Sequence, residues 1–237
     1  MNDYATQVLA RLQDAFEPER DAERAMAMSA YMRGKFPYLG IPSPRRSALQ
    51  RNALEALRKP NPAEVTATVT ALWELPEREY QYAACDILGR NLRVLNESFL
   101  PVARRLIETK SWWDTVDTLA SNTVGGLVRA YPELAVEMDQ WVADENLWVA
   151  RTAILHQLKF KDRTDSERLL RYCALRAADT NFFIRKAIGW ALRQYSRTDP
   201  EAVRAFVAAH EAELSGLSKR EALLTLNGGR KGKRAAG

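Results

Sequence analysis

Periodicity constrains this chain more than any other feature. Almost every stretch of its 237 residues repeats apolar positions every three or four residues, and none alternates convincingly in the two-residue rhythm of a strand. The spacing predicts helices over 3–16, 19–35, 43–58, 62–75, 77–94, 97–109, 112–130, 133–143, 147–160, 165–178, 182–197, 199–213 and 217–226. Pro18, Gly40, the Pro42/Pro44 pair, Pro60/Pro62, Pro76, Pro101, Pro132 and Pro200 punctuate the intervals. They fit chain turns, or first turns where a missing N–H costs no hydrogen bond. Helices of this length joined by short turns make helical hairpins. One hairpin with its linkers takes roughly 35–40 residues, the period of HEAT-like solenoids. Similarity between the segments does not establish the repeat by itself, and a compact helical bundle is the alternative. No Gly/Ser-rich linker divides the chain, so a single domain over 1–227 is expected, with a basic, disordered tail over 228–237.

Charge needs the tail kept apart. The formal net charge is +5, but the last ten residues, GGRKGKRAAG, carry four basic groups and no acid, leaving +1 for the body. The body binds a polyanion only if its cations are gathered on one face. Cys85 and Cys173 both fall in apolar helical patterns and read as buried small side chains, not a disulfide framework. The N-terminus has no signal-peptide pattern and no apolar run reaches membrane-spanning length, so a cytoplasmic protein is expected. HExxH, CxxC, a P-loop, a dinucleotide fingerprint and a Gly-x-Ser-x-Gly turn are all absent from the sequence. Two scattered histidines and two scattered cysteines make no metal site, and no cofactor is implied.

Three helices carry the informative residues. In KSWWDTVDTLASNTVGGL, Ser111 and Asp114 stand in capping-box relation, with Ser111 as N-cap. Trp112, Val116, Leu119, Thr123 and Leu127 form the core stripe. Trp113 lies at its edge with Asp117 one turn on, so an indole and a carboxylate emerge together. An interface Trp beside a solvated Asp gives the same pattern. In 182–197 the apolar stripe is Ile184, Ala187, Ile188, Ala191, Leu192 and Tyr195, while Lys186, Trp190, Arg193 and Arg197 share the other side. That side is either a nucleic-acid contact surface or basic stems packed on an indole. In 147–160, Leu147, Ala150, Ala153, Ile154 and Leu158 face inward, and exposed Trp148, Arg151 and Lys159 gather on a neighbouring arc. Arg151 suits a phosphate or an acid on an adjacent helix. His156, a lone histidine, reads as structural.

Taken together, these segments resemble the AlkD family of bacterial alkylpurine DNA glycosylases. The resemblance runs through AYMRGKFPYLGIPSPRR at 30–46, LWELPEREYQYAACDIL at 72–88, TKSWWDTVDTLAS at 109–121, DENLWVARTAILHQLKFK at 144–161, FFIRKAIGWALRQYSRTDP at 182–200 and LSKREAL at 217–223. It implies an all-α, right-handed solenoid of HEAT-like hairpins whose concave face holds duplex DNA. It places the catalytic positions on Trp113, Asp117 and Trp190, a DNA-contacting arginine on Arg151, and Tyr31 near the site. Lys159, Lys186, Arg193 and Arg197 join these as candidate phosphate contacts from their basic arcs. The implied activity is hydrolysis of the N-glycosidic bond of cationic N3- and N7-alkylated purines in duplex DNA, by a monomer without a base-flipping pocket. A non-catalytic HEAT-repeat DNA-binding or scaffold protein is the alternative.

Overall fold

The computed structural model describes residues 3–228, so all but the first residue of the basic tail lies outside the described residues. Among the described residues every regular element is helical and no strand occurs, as the periodicity predicts. None of these helices is long and apolar enough to cross a membrane. The chain forms two compact units, Met1–Val102 and Ala103–Gly237.

The first unit holds α1 (Asp3–Phe16), α2 (Ala22–Tyr31), α3 (Ser43–Leu54), α4 (Pro62–Glu74) and α5 (Arg78–Asn91). In α1 the buried residues are Ala5, Val8, Leu12 and Phe16, a three-to-four-residue stripe that packs on α3 and α4. Asn61 and Glu64 form a full capping box, which fixes where α4 begins. The loop before α3 is tied down by Glu79, a fully buried carboxylate that accepts the backbone N–H groups of Leu39, Gly40 and Ile41 at 3.0, 2.9 and 3.1 Å. Gly40 is required there: its φ is +93°, and a Cβ would lie 2.3 Å from the Asp21 carbonyl oxygen.

The boundary between the units falls within α6 (Leu100–Glu108). The second unit continues with α7 (Trp113–Thr118), a π-helical turn (Leu119–Val124), α8 (Gly125–Ala130), α9 (Ala135–Trp141), α10 (Leu147–Leu155), α11 (Ser166–Leu175), α12 (Phe182–Tyr195), α13 (Pro200–Ala209) and α14 (Gly216–Gly228). Helices adjacent in the chain pack together, α9 on α10, α10 on α11, α11 on α12 and α12 on α13, as stacked helical hairpins do. In addition α10 packs on both α7 and α12, and α12 makes its most extensive contact with α14.

Two of these helices begin in the same way. Asp144 accepts the N–H of Asn146 at 2.8 Å, and the Asn146 side chain accepts the N–H of Trp148 at 2.9 Å. Asp179, Asn181 and Phe183 repeat this at 2.7 and 2.8 Å, 35 residues further on. Side-chain oxygens thus satisfy the orphan donors of both first turns. The aromatic residues so placed meet Trp112, which precedes α7: ring centroids lie 5.6 Å apart for Trp112–Trp148, 5.0 Å for Trp112–Phe183 and 4.9 Å for Trp148–Phe183. This cluster registers the starts of α7, α10 and α12.

Several expectations change. The single helix expected over 112–130 is interrupted by the π turn, the helix expected over 147–160 ends at Leu155, and the one expected over 19–35 ends at Tyr31, where Arg33 and Gly34 take positive φ. Trp148 is buried in the aromatic cluster, not exposed on a basic arc. Cys85 and Cys173 are buried free thiols, as read from their patterns.

Candidate active site

The start of α7 is built differently from the capping box read in the sequence. The Ser111 hydroxyl donates to the Ile107 carbonyl at 2.6 Å, at the end of α6, and the N-cap is Trp112, whose side chain makes no capping bond. Asp114 remains in the first turn of α7, where an acid suits the helix dipole. Trp112, Val116, Leu119, Thr123 and Leu127 are all buried, as the helical wheel predicts. Trp113 and Asp117 lie half-buried at the margin of that stripe.

Asp117 meets Arg151 of α10 side-on. Arg151 Nε donates to Oδ1 at 2.7 Å and Nη2 to Oδ2 at 2.8 Å, the two-pronged geometry that suits a guanidinium and a carboxylate. The third nitrogen, Nη1, donates to the Phe183 carbonyl in the first turn of α12. Of the two partners open to Arg151 in the sequence, an acid on a neighbouring helix is therefore the one it has. Its side chain is 4% exposed and that of Asp117 12%, so the carboxylate is the outer end of the pair. Burial pushes the Asp117 carboxyl above its ordinary pKa. The Arg151 hydrogen bonds and charge oppose this, while the negative charge of Asp114 adds to it.

Local sequence explains how two residues 34 positions apart come into register. Gly125, just after the π turn, sits against the end of α10: a Cβ there would lie 2.1 Å from the His156 carbonyl oxygen. Only glycine lets the two backbones approach so closely. His156 is buried, and its Nδ1–H donates to the Ala153 carbonyl at 2.6 Å, the structural role expected of it. The Ser121 hydroxyl donates to the Asp117 carbonyl at 2.9 Å inside the π-helical stretch. Such turns recur at functional sites.

On α12, Ile184, Ala187, Ile188, Ala191 and Leu192 are buried, while Trp190 is half-buried on the opposite side with Lys186 and Arg193. Those two cations share one carboxylate that the reading of the helices had not singled out. Glu221 of α14 accepts from Lys186 Nζ at 2.8 Å and from Arg193 Nη1 at 3.0 Å. The Lys186 bond, with the charges of Lys186 and Arg193, holds the Glu221 carboxyl below its usual range. The signal that could have found it is Gly189, where a Cβ would lie 2.4 Å from the Cβ of Glu221. Glycine amid a helical pattern marks a close crossing. Arg197 and Lys159 are exposed, and Lys159 Nζ donates to Asn122 Oδ1. Tyr31 lies in the first unit and is 74% exposed.

The chain matches the family model described as DNA alkylation repair enzyme over residues 12–226. No curated protein matches it. A solved structure described as a predicted DNA alkylation repair enzyme from Enterococcus faecalis is similar, with 32% identity and a TM-score of 0.80, covering 86% of this chain and 95% of that one. AlkD2 from Streptococcus mutans shares the fold at 17% identity and a TM-score of 0.59, covering 73% and 86% of the two chains. The protein smu.31 from Streptococcus mutans UA159 does so at 18% and 0.58, covering 73% and 88%.

Proposed function

Because this chain belongs to the DNA alkylation repair enzyme family, we propose that it is a DNA glycosylase that hydrolyses the N-glycosidic bond of N3- and N7-alkylated purines in duplex DNA, and that Asp117 is its central catalytic residue. The observation that carries this reading is the Asp117 carboxylate, held by both oxygens against the more deeply buried Arg151.

The chemistry asks for such a group. Alkylation at N3 or N7 gives the purine a positive charge. When the C1′–N9 bond breaks, its electron pair stays on N9 and the base leaves neutral, so no acid need protonate it. The positive charge passes to the deoxyribose as an oxocarbenium ion. A fixed carboxylate beside the sugar stabilises that charge as it develops. Water then adds to C1′ and gives up a proton, which Asp117 accepts and passes to solvent. Arg151 leaves each oxygen a lone pair for these tasks and keeps the carboxylate from turning. The electron-rich faces of Trp113 and Trp190 suit a cationic sugar, and neither residue titrates. No step needs a metal or a cofactor, and no base pocket is invoked.

Duplex DNA would be held through its phosphates, with little regard for sequence. The exposed Lys159 and Arg197 are the readiest phosphate contacts, and the exposed Tyr31 a further DNA contact. Arg151 acts in this reading chiefly by positioning Asp117. A monomeric state and a cytoplasmic location belong to the same proposal.

Release of free base from duplex DNA carrying N7-methylguanine, N3-methyladenine or uracil tests it. The two cationic purines should be released. Uracil should not, because it departs with negative charge and no acid is there to help. No release of either methylated purine, with salt-dependent binding to DNA retained, would favour a non-catalytic DNA-binding protein instead.

A further inference from the structure

The segment LSKREAL, over 217–223, has no part in the chemistry above, yet it lies in α14, against the face of α12 that carries Trp190. Lys186, Gly189, Trp190 and Arg193 fall within about one quarter of the α12 helical wheel. Gly189 has no side chain, so α14 comes in closely, and the Ser218 hydroxyl seals the crossing by donating to the Arg185 carbonyl at 3.0 Å. That approach delivers Glu221 to Lys186 at 2.8 Å and to Arg193 at 3.0 Å. One carboxylate thus bridges two cations seven residues apart in sequence, with Trp190 between them along the helix. The Lys186 side chain is 39% exposed and that of Arg193 26%, so neither is shut away from a ligand at the surface.

We propose that Glu221 sets how tightly this face grips DNA, by holding Lys186 and Arg193 partly neutralised on either side of Trp190. This rests on the glycosylase reading. A repair enzyme that binds through phosphates must also let its product go. Two bare cations beside the exposed Arg197 would add phosphate contacts to damaged, undamaged and product DNA alike. With Glu221 in place, the face presents Trp190 to the DNA with much of that charge already spent. Glu221 is a positioning residue in this account, because it acts through Lys186 and Arg193.

The test is the salt dependence of binding to an undamaged duplex. Each cation that newly contacts a phosphate steepens the slope of log affinity against log salt by about 0.9. Glu221→Gln keeps the size and removes the charge, so its slope should steepen by about 0.9 to 1.8. Multiple-turnover base release should slow as product is retained, by a larger factor than any change in the single-turnover rate. Glu221→Asp should restore the wild-type slope. Lys186→Gln in the otherwise wild-type chain should change the slope by less than about 0.5, because that charge is already met by Glu221. In the Glu221→Gln background the same change should remove about 0.9.

A wild-type slope in folded Glu221→Gln would overturn the inference. So would a loss of about 0.9 from Lys186→Gln alone, which would make Lys186 a phosphate contact already. This second variant keeps the test decisive if Glu221→Gln folds poorly. Wild-type protein that shows no salt-dependent DNA binding would bring down the glycosylase reading as well. Normal wild-type binding with an unmoved Glu221→Gln slope would bring down this inference alone.

Discussion

Asp117 and Arg151, from helices 34 residues apart in the chain, are joined by two hydrogen bonds of 2.7 and 2.8 Å, and both side chains are largely withdrawn from solvent. An ion pair placed this way is weak evidence for stability, since desolvation offsets much of the Coulomb gain. It is better understood as a mount. The guanidinium spends its third nitrogen on the Phe183 carbonyl, so α7, α10 and α12 are linked through one side chain.

Arg151→Met should therefore do more than remove a charge. Taking one partner from a buried pair leaves the other uncompensated, at a cost of about 3–5 kcal/mol. Both influences that lower the Asp117 pKa go with Arg151, so the carboxyl should titrate higher still. Arg151→Lys keeps the charge but loses the two-pronged geometry, and should recover only part of the rate. Thermal unfolding and single-turnover base release against pH measure both effects. Unchanged stability with an unchanged pH profile would contradict this role.

In the wild type the sign of the pH dependence follows from burial. Asp117 must be ionised to act, and its pKa is raised from the ordinary value of 3.8. The rate should therefore fall, as pH drops, at a pH above that of an ordinary aspartate. Replacing Asp114 by Asn removes one of the influences that raise the Asp117 pKa, and should move the limb towards lower pH. A limb at or below the ordinary aspartate value would mean that burial does not govern this group.

Gly125→Ala tests how the pair is brought into register. A methyl group 2.1 Å from the His156 carbonyl oxygen cannot be accommodated without moving the end of α10 or the π turn. Overpacking of this kind costs about 1–3 kcal/mol. The rate should drop by more than global destabilisation explains, because α10 carries Arg151. A variant with wild-type melting temperature and rate would show that the close approach is incidental.

His156 gives a prediction about stability alone. Burial lowers its pKa to about 4, against an ordinary 6.5. The unfolded chain then takes up a proton below about pH 6.5 that the folded chain refuses until about pH 4. Stability is therefore undiminished above about pH 6.5 and falls on acidification, the loss reaching on the order of 3 kcal/mol at about pH 4. His156→Gln should flatten the unfolding free energy between those limits. Asp139 and Glu64 have lowered pKa values, so their contributions begin to be lost only near the ordinary carboxylate values, at the acid end of this range.

Much of this architecture was legible in the sequence because it is local. Helical periodicity punctuated by Pro18 and the Pro60/Pro62 pair places α1 and α4, whose expected ranges 3–16 and 62–75 match Asp3–Phe16 and Pro62–Glu74 closely. What was not legible depends on partners far along the chain. The break after Thr118 goes with the close approach of Gly125 to His156, 31 residues on. Ser111 has the spacing of a capping residue, but the Ile107 carbonyl claims its hydroxyl first. Trp148 stands beside Arg151 on its own helical wheel, yet Trp112 and Phe183 cover it. Lys186 and Arg193 read either as a nucleic-acid contact surface or as stems packed on Trp190, because periodicity within one helix is silent about Glu221 on another. The repeat was hidden for a related reason: it is carried by the Asp-x-Asn starts at 144–146 and 179–181, not by overall similarity.

Single-turnover release of N7-methylguanine from duplex DNA by wild type, Asp117→Asn and Asp114→Asn tests the central claim most directly. Asp117→Asn removes the charge facing the developing oxocarbenium ion. By analogy with a lost oxyanion-hole donor, the rate should fall about 100- to 1000-fold. It also leaves Arg151 without its anionic partner, so the comparison is made below the melting temperature of each protein, with DNA affinity measured in parallel and expected to hold. Asp114 lies in the first turn of α7, where it suits the helix dipole, and its replacement should leave the rate near that of the wild type. Folded Asp117→Asn releasing N7-methylguanine at the wild-type rate, or Asp114→Asn proving to be the inactive variant, would contradict the account.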